Sequence, residues 1–143
     1  MQIKDSIVAR EAMMISIINH FGEAAPMVEH NVFSWMNFLS EDYDGGMWDY
    51  HELSNGGFYM TPPAGMYKVH QKGNMFCEVI SAQLAGIIAT YFSLYSLSLR
   101  DYEDAEFYYK YICLLNEYID QLDPKSRKLV LSALERVWKL IYQ

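Results

Sequence analysis

The chain has 143 residues, enough for one domain and too few for two of ordinary size. Hydrophobic residues make up 52% and aromatic residues 15%, which supplies a full core and excludes a disordered chain. A net charge of −7 excludes a nucleic-acid binder, which needs a basic stripe to displace counterions; the longest basic cluster is only Lys125, Arg127 and Lys128.

In chain order, Asp5 or Ser6 is placed to cap a first helix running to about Asn19, ended by His20-Phe21-Gly22. Pro26 suits the first turn of a second helix, in which Val28, Val32, Trp35 or Met36, and Leu39 recur at helical spacing. The period then changes. Asp44-Gly45-Gly46 reads as a turn and Met47 to Leu53 as a strand. Asn55-Gly56 reads as a type I′ hairpin turn with positive φ at both residues, and Gly57 to Thr61 as the return strand before Pro62-Pro63. Met66 to His70 and Met75 to Ile80 complete four short strands, predicting an antiparallel meander over about residues 46–80. Ser81 is placed to cap a helix from Ala82 to about Leu97. A further helix starts near Asp101, and the last has Asp123 as N-cap, Pro124 at its first position, and Leu134, Val137, Trp138 and Ile141 along one side. The fold class is therefore α+β, a single domain over residues 1–143 with N-terminal helices and three C-terminal helices.

Val79 to Leu99 carries no charge and is long enough to span a bilayer, but serines, Gln83 and Thr90 interrupt it; a central helix buried on most sides is the expectation. The N-terminal MQIKDSIVAR has charges where a secretory apolar region would lie, so a cytoplasmic protein with Cys77 and Cys113 as reduced, buried thiols is expected.

Chemistry-bearing patterns are sparse. Asp49 and His51 share one strand face and are the best pair for a metal or a proton, but a site needs a third ligand or a nucleophile. His20, His30 and His70 have no metal-ligand spacing, and neither a nucleophile elbow nor a phosphate-cradling loop occurs. No catalytic residue, cofactor or metal is predicted. The helix DYEDAEFYYKYICLLNEYID has two apolar stripes, one through Ala105, Tyr108 or Tyr109, Ile112, Leu115 and Ile119, the other through Phe107, Tyr111, Leu114 and Tyr118. Such a helix is sandwiched inside its fold or presents one face to a partner. Acidic residues at Glu41, Asp42, Asp44, Asp49 and Glu52 surround the Gly-Gly turn and the hairpin with no helix start to explain them. The candidate partner-contact residues are Asp42, Asp44, Trp48, Asp49, Ser54, Asn55, Gly56 and Gly57, with Phe107, Tyr111 and Tyr118 as a secondary face.

The stretch EDYDGGMWDYHELSNGGFYMTP, residues 41–62, resembles the ArdB/KlcA family of antirestriction proteins, which carry a DY-x-GG-x-W-x-(F/Y)-Y-x-(L/I)-SNGG-x-(F/Y)-M-x-P block. His51 stands where the family has tyrosine. The likeness runs over about residues 7–120, through His20-Phe21-Gly22, Phe33-x-Trp35-Met36 and Ser81-x-x-x-Ala85-Gly86-Ile87, departing from the family at Gln83-Leu84. The helix over about 124–142 reads as an extension. The resemblance implies a non-enzymatic protein that relieves host type I restriction-modification, protects mobile-element DNA, and contacts a protein component of that system directly or indirectly. It also implies that the protein is no DNA mimic, which charge arithmetic supports independently. A compact domain this long is about 35 to 40 Å across. Duplex DNA of that length carries about 20 negative charges, whereas 18 acidic residues are here offset by 11 basic ones. Two rival readings stay open, an interaction module with another partner and a hydrolase using Asp49 and His51.

Overall fold

The computed structural model describes residues 2–100 and 103–135. The expected helix start at Asp101 and the positions Val137, Trp138 and Ile141 lie outside the described residues. The elements are β1 (Asp5–Ile7), α1 (Met13–Phe21), α2 (Ala25–Leu39), β2 (Asp49–Leu53), β3 (Phe58–Thr61), β4 (Met66–Gln71), β5 (Phe76–Ser81), α3 (Ala82–Arg100), α4 (Ala105–Ile119) and α5 (Pro124–Ala133). Several begin and end where local chemistry dictates. Gly22, at φ +57°, closes α1, and Pro26 lies in the first turn of α2. The Ser81 hydroxyl accepts from Leu84 N at 3.3 Å at the start of α3, and the Asp123 carboxylate accepts from Ser126 N at 3.0 Å at the start of α5.

α3 is the hub. It is long and apolar enough to cross a membrane, but here two thirds of it is buried among α2, α4, α5 and the strands. Its closest approach is to β3. A Cβ on Gly86 would lie 2.1 Å from the Met60 carbonyl oxygen, so only glycine fits there. One turn further on, the Thr90 hydroxyl accepts from Met60 N at 3.1 Å, which satisfies a backbone donor that this edge strand would otherwise bury unpaired.

That arrangement corrects the expected meander. The strands form two separate antiparallel sheets, β1-β2-β3 and β4-β5. β3 cannot pair with β4 because α3 occupies its outer edge, and Pro62-Pro63 redirects the chain without amide donors. The first helix is corrected too. Asp5, Ser6 and Ile7 do not start a helix but pair with Leu53, Glu52 and His51, and helical structure begins only after a short 3-10 turn at Arg10–Ala12. The expectation for Cys77 also fails. It lies exposed on the open face of the β4-β5 hairpin, whereas Cys113 is half-buried, and neither forms a disulfide. The α4 stripe through Tyr108, Ile112, Leu115 and Ile119 is buried. In the other stripe Tyr111 and Tyr118 are buried, with Tyr111 packed on Phe21 of α1, while Leu114 is half-buried and Phe107 lies at the surface.

Candidate functional site

The 41–62 block forms one side of the three-stranded sheet, and most of its characteristic residues hold the fold together. Gly45 and Gly46 both have positive φ, and a Cβ on Gly46 would strike the Pro63 ring at 2.6 Å. Trp48 is 4% exposed. Its indole N–H donates to the Tyr43 hydroxyl at 2.7 Å, and its ring packs on Phe33.

The SNGG turn differs from the expected type I′ geometry. Gly56 N donates to Leu53 O at 2.9 Å and Leu53 N to Gly57 O at 3.0 Å, and only Gly56 among the turn residues has positive φ, at +95°. Ser54 and Asn55 therefore form a type I turn, with Gly56 as the left-handed residue of a bulge, the usual solution for a hairpin loop one residue longer than two. Asn55 is kept at negative φ by its side chain. Its Oδ1 accepts from Gly57 N at 2.9 Å, while its amide donates to Leu114 O and to Glu117 on α4, at 3.0 and 2.9 Å. Gly57 is buried, and a Cβ there would lie 3.2 Å from Leu114, so the hairpin tip is docked tightly on α4. Ser54 binds Lys4 through both its backbone and its hydroxyl.

The acidic residues divide similarly. The Asp42 carboxylate accepts from Ser40 and from Lys68 N, donors that hold its pKa below the usual value, and so joins the loop to β4. Asp49 pairs with Arg10 at 3.4 Å, and the Arg10 guanidinium also donates to Trp48 O at 2.9 Å. Glu52 accepts from the Ser16 hydroxyl at 2.6 Å and lies 3.3 Å from the ring of His20. Glu41, Asp44 and Met47 remain at the surface. Of the candidate contact residues, Asp42, Asp44, Ser54 and Gly56 are exposed and Asp49 and Asn55 are half-buried, whereas Trp48 and Gly57 are buried. In the secondary face, Tyr111 and Tyr118 are buried and only Phe107 is partly exposed.

The proposed Asp49–His51 pair is split between separate partners. His51 Nδ1 meets Asp5 Oδ1 at 2.7 Å and its Nε2 meets Thr61 Oγ1 at 3.0 Å, both inside the fold. Asp5 Oδ2 accepts from Tyr59 and Tyr118, the latter at 2.8 Å. Burial alone would raise the Asp5 pKa, but its donors, His51 foremost, hold it below the usual value. Burial and the Asp5 charge push Tyr118 up to about 12. This network stitches β1, β2, β3 and α4 together, and Gln83 of α3 joins it by donating to the Tyr59 and Tyr118 hydroxyls at 3.4 and 3.3 Å. Sequence reasoning missed it, because β1 is only three residues long and nothing local marks Asp5 as a long-range partner. Among the described residues, no group of three His, Cys, Asp or Glu side chains is arranged to hold a metal ion.

The geometry defines a class first: a small α+β protein whose glycine-rich block supports an exposed acidic margin. The family model described as "Antirestriction protein" matches residues 41–133. An antirestriction protein KlcA from Escherichia coli is 48% identical over 67 residues, 46% of either chain. A second E. coli KlcA is 38% identical over 95 residues, 65% of this chain and 67% of that one. The match thus spans about half the length of the first relative and two thirds of the second. A solved structure, described as one of the KlcA and ArdB proteins with a novel fold and antirestriction activity against type I DNA restriction systems in vivo but not in vitro, superposes with a TM-score of 0.83. It is 31% identical, over 93% of this chain and 96% of its own. The chain belongs to the ArdB/KlcA family of antirestriction proteins.

Proposed function

We propose that the chain relieves type I restriction of incoming mobile-element DNA in the bacterial cytoplasm, through contact with a protein and without imitating DNA. The observation that carries this reading is the family match across the 41–133 segment, joined to a fold likeness that covers nearly the whole chain. The similar solved proteins act in vivo but not in vitro, which favours a mechanism needing something the cell supplies, either a restriction subunit or a factor acting upon it. The charge favours protein over DNA as the partner, since a surplus of seven negative charges repels a phosphate backbone yet steers towards a basic, DNA-handling protein. The contact margin we assign runs from Glu41 and Asp44 past Asp49 to Ser54 and Gly56, with Asn55 and Gly57 fixing its shape.

The test is phage plating on cells carrying a type I system, with and without the protein. Expression should raise the plating efficiency of unmodified phage. No change at high expression overturns the proposal.

A further inference from the structure

A groove of about 910 Å³ lies on the face of the molecule formed by α1, the start of α2 and Tyr50. Its size is at the upper end of the range for ligand clefts, about 300 to 1,000 Å³. Its walls are mainly apolar, with Met13, Met14, Ile17 and Ile18 from α1 facing Pro26 from α2. Met14 is 73% exposed and Ile18 49%, and Ile15 beside them is 64% exposed. Three large apolar side chains at positions i, i+1 and i+4 thus face outward on a helix that has α2 behind it, an unusual expenditure of apolar surface for an isolated domain.

The polar groups of the groove say what would cover it. Two carboxylates, Glu23 and Glu29, line it. Neither is within ion-pair distance of a cation among the described residues. Glu29 is half-buried, accepts a hydrogen bond from Tyr50, and has its pKa raised by burial. The one cation of the groove, Arg10, is already engaged by Asp49 and Trp48 O. An apolar cleft with two uncompensated carboxylates complements a segment with apolar anchors and positive charges. A cleft between two helices admits a third helix packed along them, the helix-in-groove mode of recognition. A flat anionic membrane surface fits less well, because the cleft is concave and its carboxylates would be repelled.

We infer that this groove is the docking site for a lysine- or arginine-bearing amphipathic helix of a partner protein, its apolar face seated on Met14 and Ile18 and a cation on Glu29. The groove adjoins the proposed contact margin, since Arg10 reaches from its wall to Asp49 and Tyr50 belongs to the 41–62 block, so one partner can cover both. The inference rests on the protein-contact reading only for its class of partner.

The test needs no restriction enzyme, so its outcome is separate from that of the plating assay. Binding of a fluorescent 14-residue helical peptide, leucine on one face and lysine on the other, is measured by anisotropy. A scrambled peptide of the same composition and a glutamate-for-lysine version serve as comparisons. The lysine helix should bind with micromolar affinity, and both other peptides at least tenfold more weakly. Met14→Ser and Ile18→Ser, at exposed positions, should each weaken binding about tenfold with an unchanged melting temperature. Glu29→Gln should weaken it severalfold and flatten its salt dependence. Absence of binding, equal binding of the scrambled peptide, or indifference to both serine variants overturns the inference. So does a concentration-dependent dimer abolished by Met14→Ser, which would give the face to a second copy of the chain.

Discussion

At the scale of single residues, glycines carry much of the specification, each for a different reason. Gly56 faces open space and is needed only for its positive φ. Gly56→Val should therefore cost about 1 kcal/mol or somewhat more in a denaturant melt, with Gly56→Asn nearly neutral, because asparagine tolerates the left-handed region. Gly86 is needed for space, its neighbours being β3 backbone atoms that cannot rotate away. Gly86→Ala should cost about 3 kcal/mol, the upper part of the overpacking range, and lower the melting temperature by roughly 10 °C. A wild-type melt would mean that α3 does not lie so close to β3. The positive φ at Gly56 was legible in the sequence, since Asn-Gly between two strand-like runs demands it somewhere. The turn type was not, because the side-chain hydrogen bonds of Asn55 to α4 decide it, and those depend on a helix some sixty residues away.

At the scale of elements, legibility follows the same division between local and distant causes. α2, α5, the start of α3 and the β4-β5 hairpin are written in caps, prolines and periodicity, and they lie where those signals put them. β1 is three residues long, too short to show an alternation, and it exists because β2 offers it an edge and Asp5 finds His51, Tyr59 and Tyr118. The candidate site was legible as a block and less so as a surface. Strand alternation could not reveal that Trp48 turns inward to Tyr43, or that Asp42 is tied to Lys68 N. The joint between hairpin and α4 gives a prediction at this scale. Asn55→Ala removes three hydrogen bonds, two of which tie the hairpin tip to α4, so it should cost about 1 to 2 kcal/mol. Amide exchange should quicken at residues 53–58 and around 114–118 before it quickens in α3. Uniform acceleration across the chain would show that the joint is not an independent unit.

At the scale of the whole molecule, acid stability and function meet. His20 has its pKa lowered, chiefly by burial with Glu52 opposing, so below the unfolded value of 6.5 the unfolded chain takes up a proton that the folded one resists. The Asp5 pKa is likewise below its unfolded value of 3.8, and its contribution is lost as pH falls through the folded value. In both cases the unfolded state binds more protons, so stability should fall as pH drops below about 6.5 and again below about 4. Asp5→Asn should cost about 2 kcal/mol near neutrality and shrink the lower of the two steps in melts taken from pH 7 to pH 3, leaving the part that Asp42 and Asp123 contribute. If the lower step persists unchanged in Asp5→Asn, those other carboxylates hold the acid limb.

Function itself is read most directly by the ratio of plating efficiencies of unmodified and pre-modified phage on one strain carrying a type I system. The comparison is between no protein, wild type, and a Glu41→Gln, Asp44→Asn variant that leaves the structurally engaged Asp42 intact. Wild type should bring the ratio towards one, and the variant, with an unchanged melting temperature, should restore much of the restriction. A ratio that wild-type expression does not move would contradict the antirestriction reading. Full relief by the folded variant would contradict the acidic margin as its working surface.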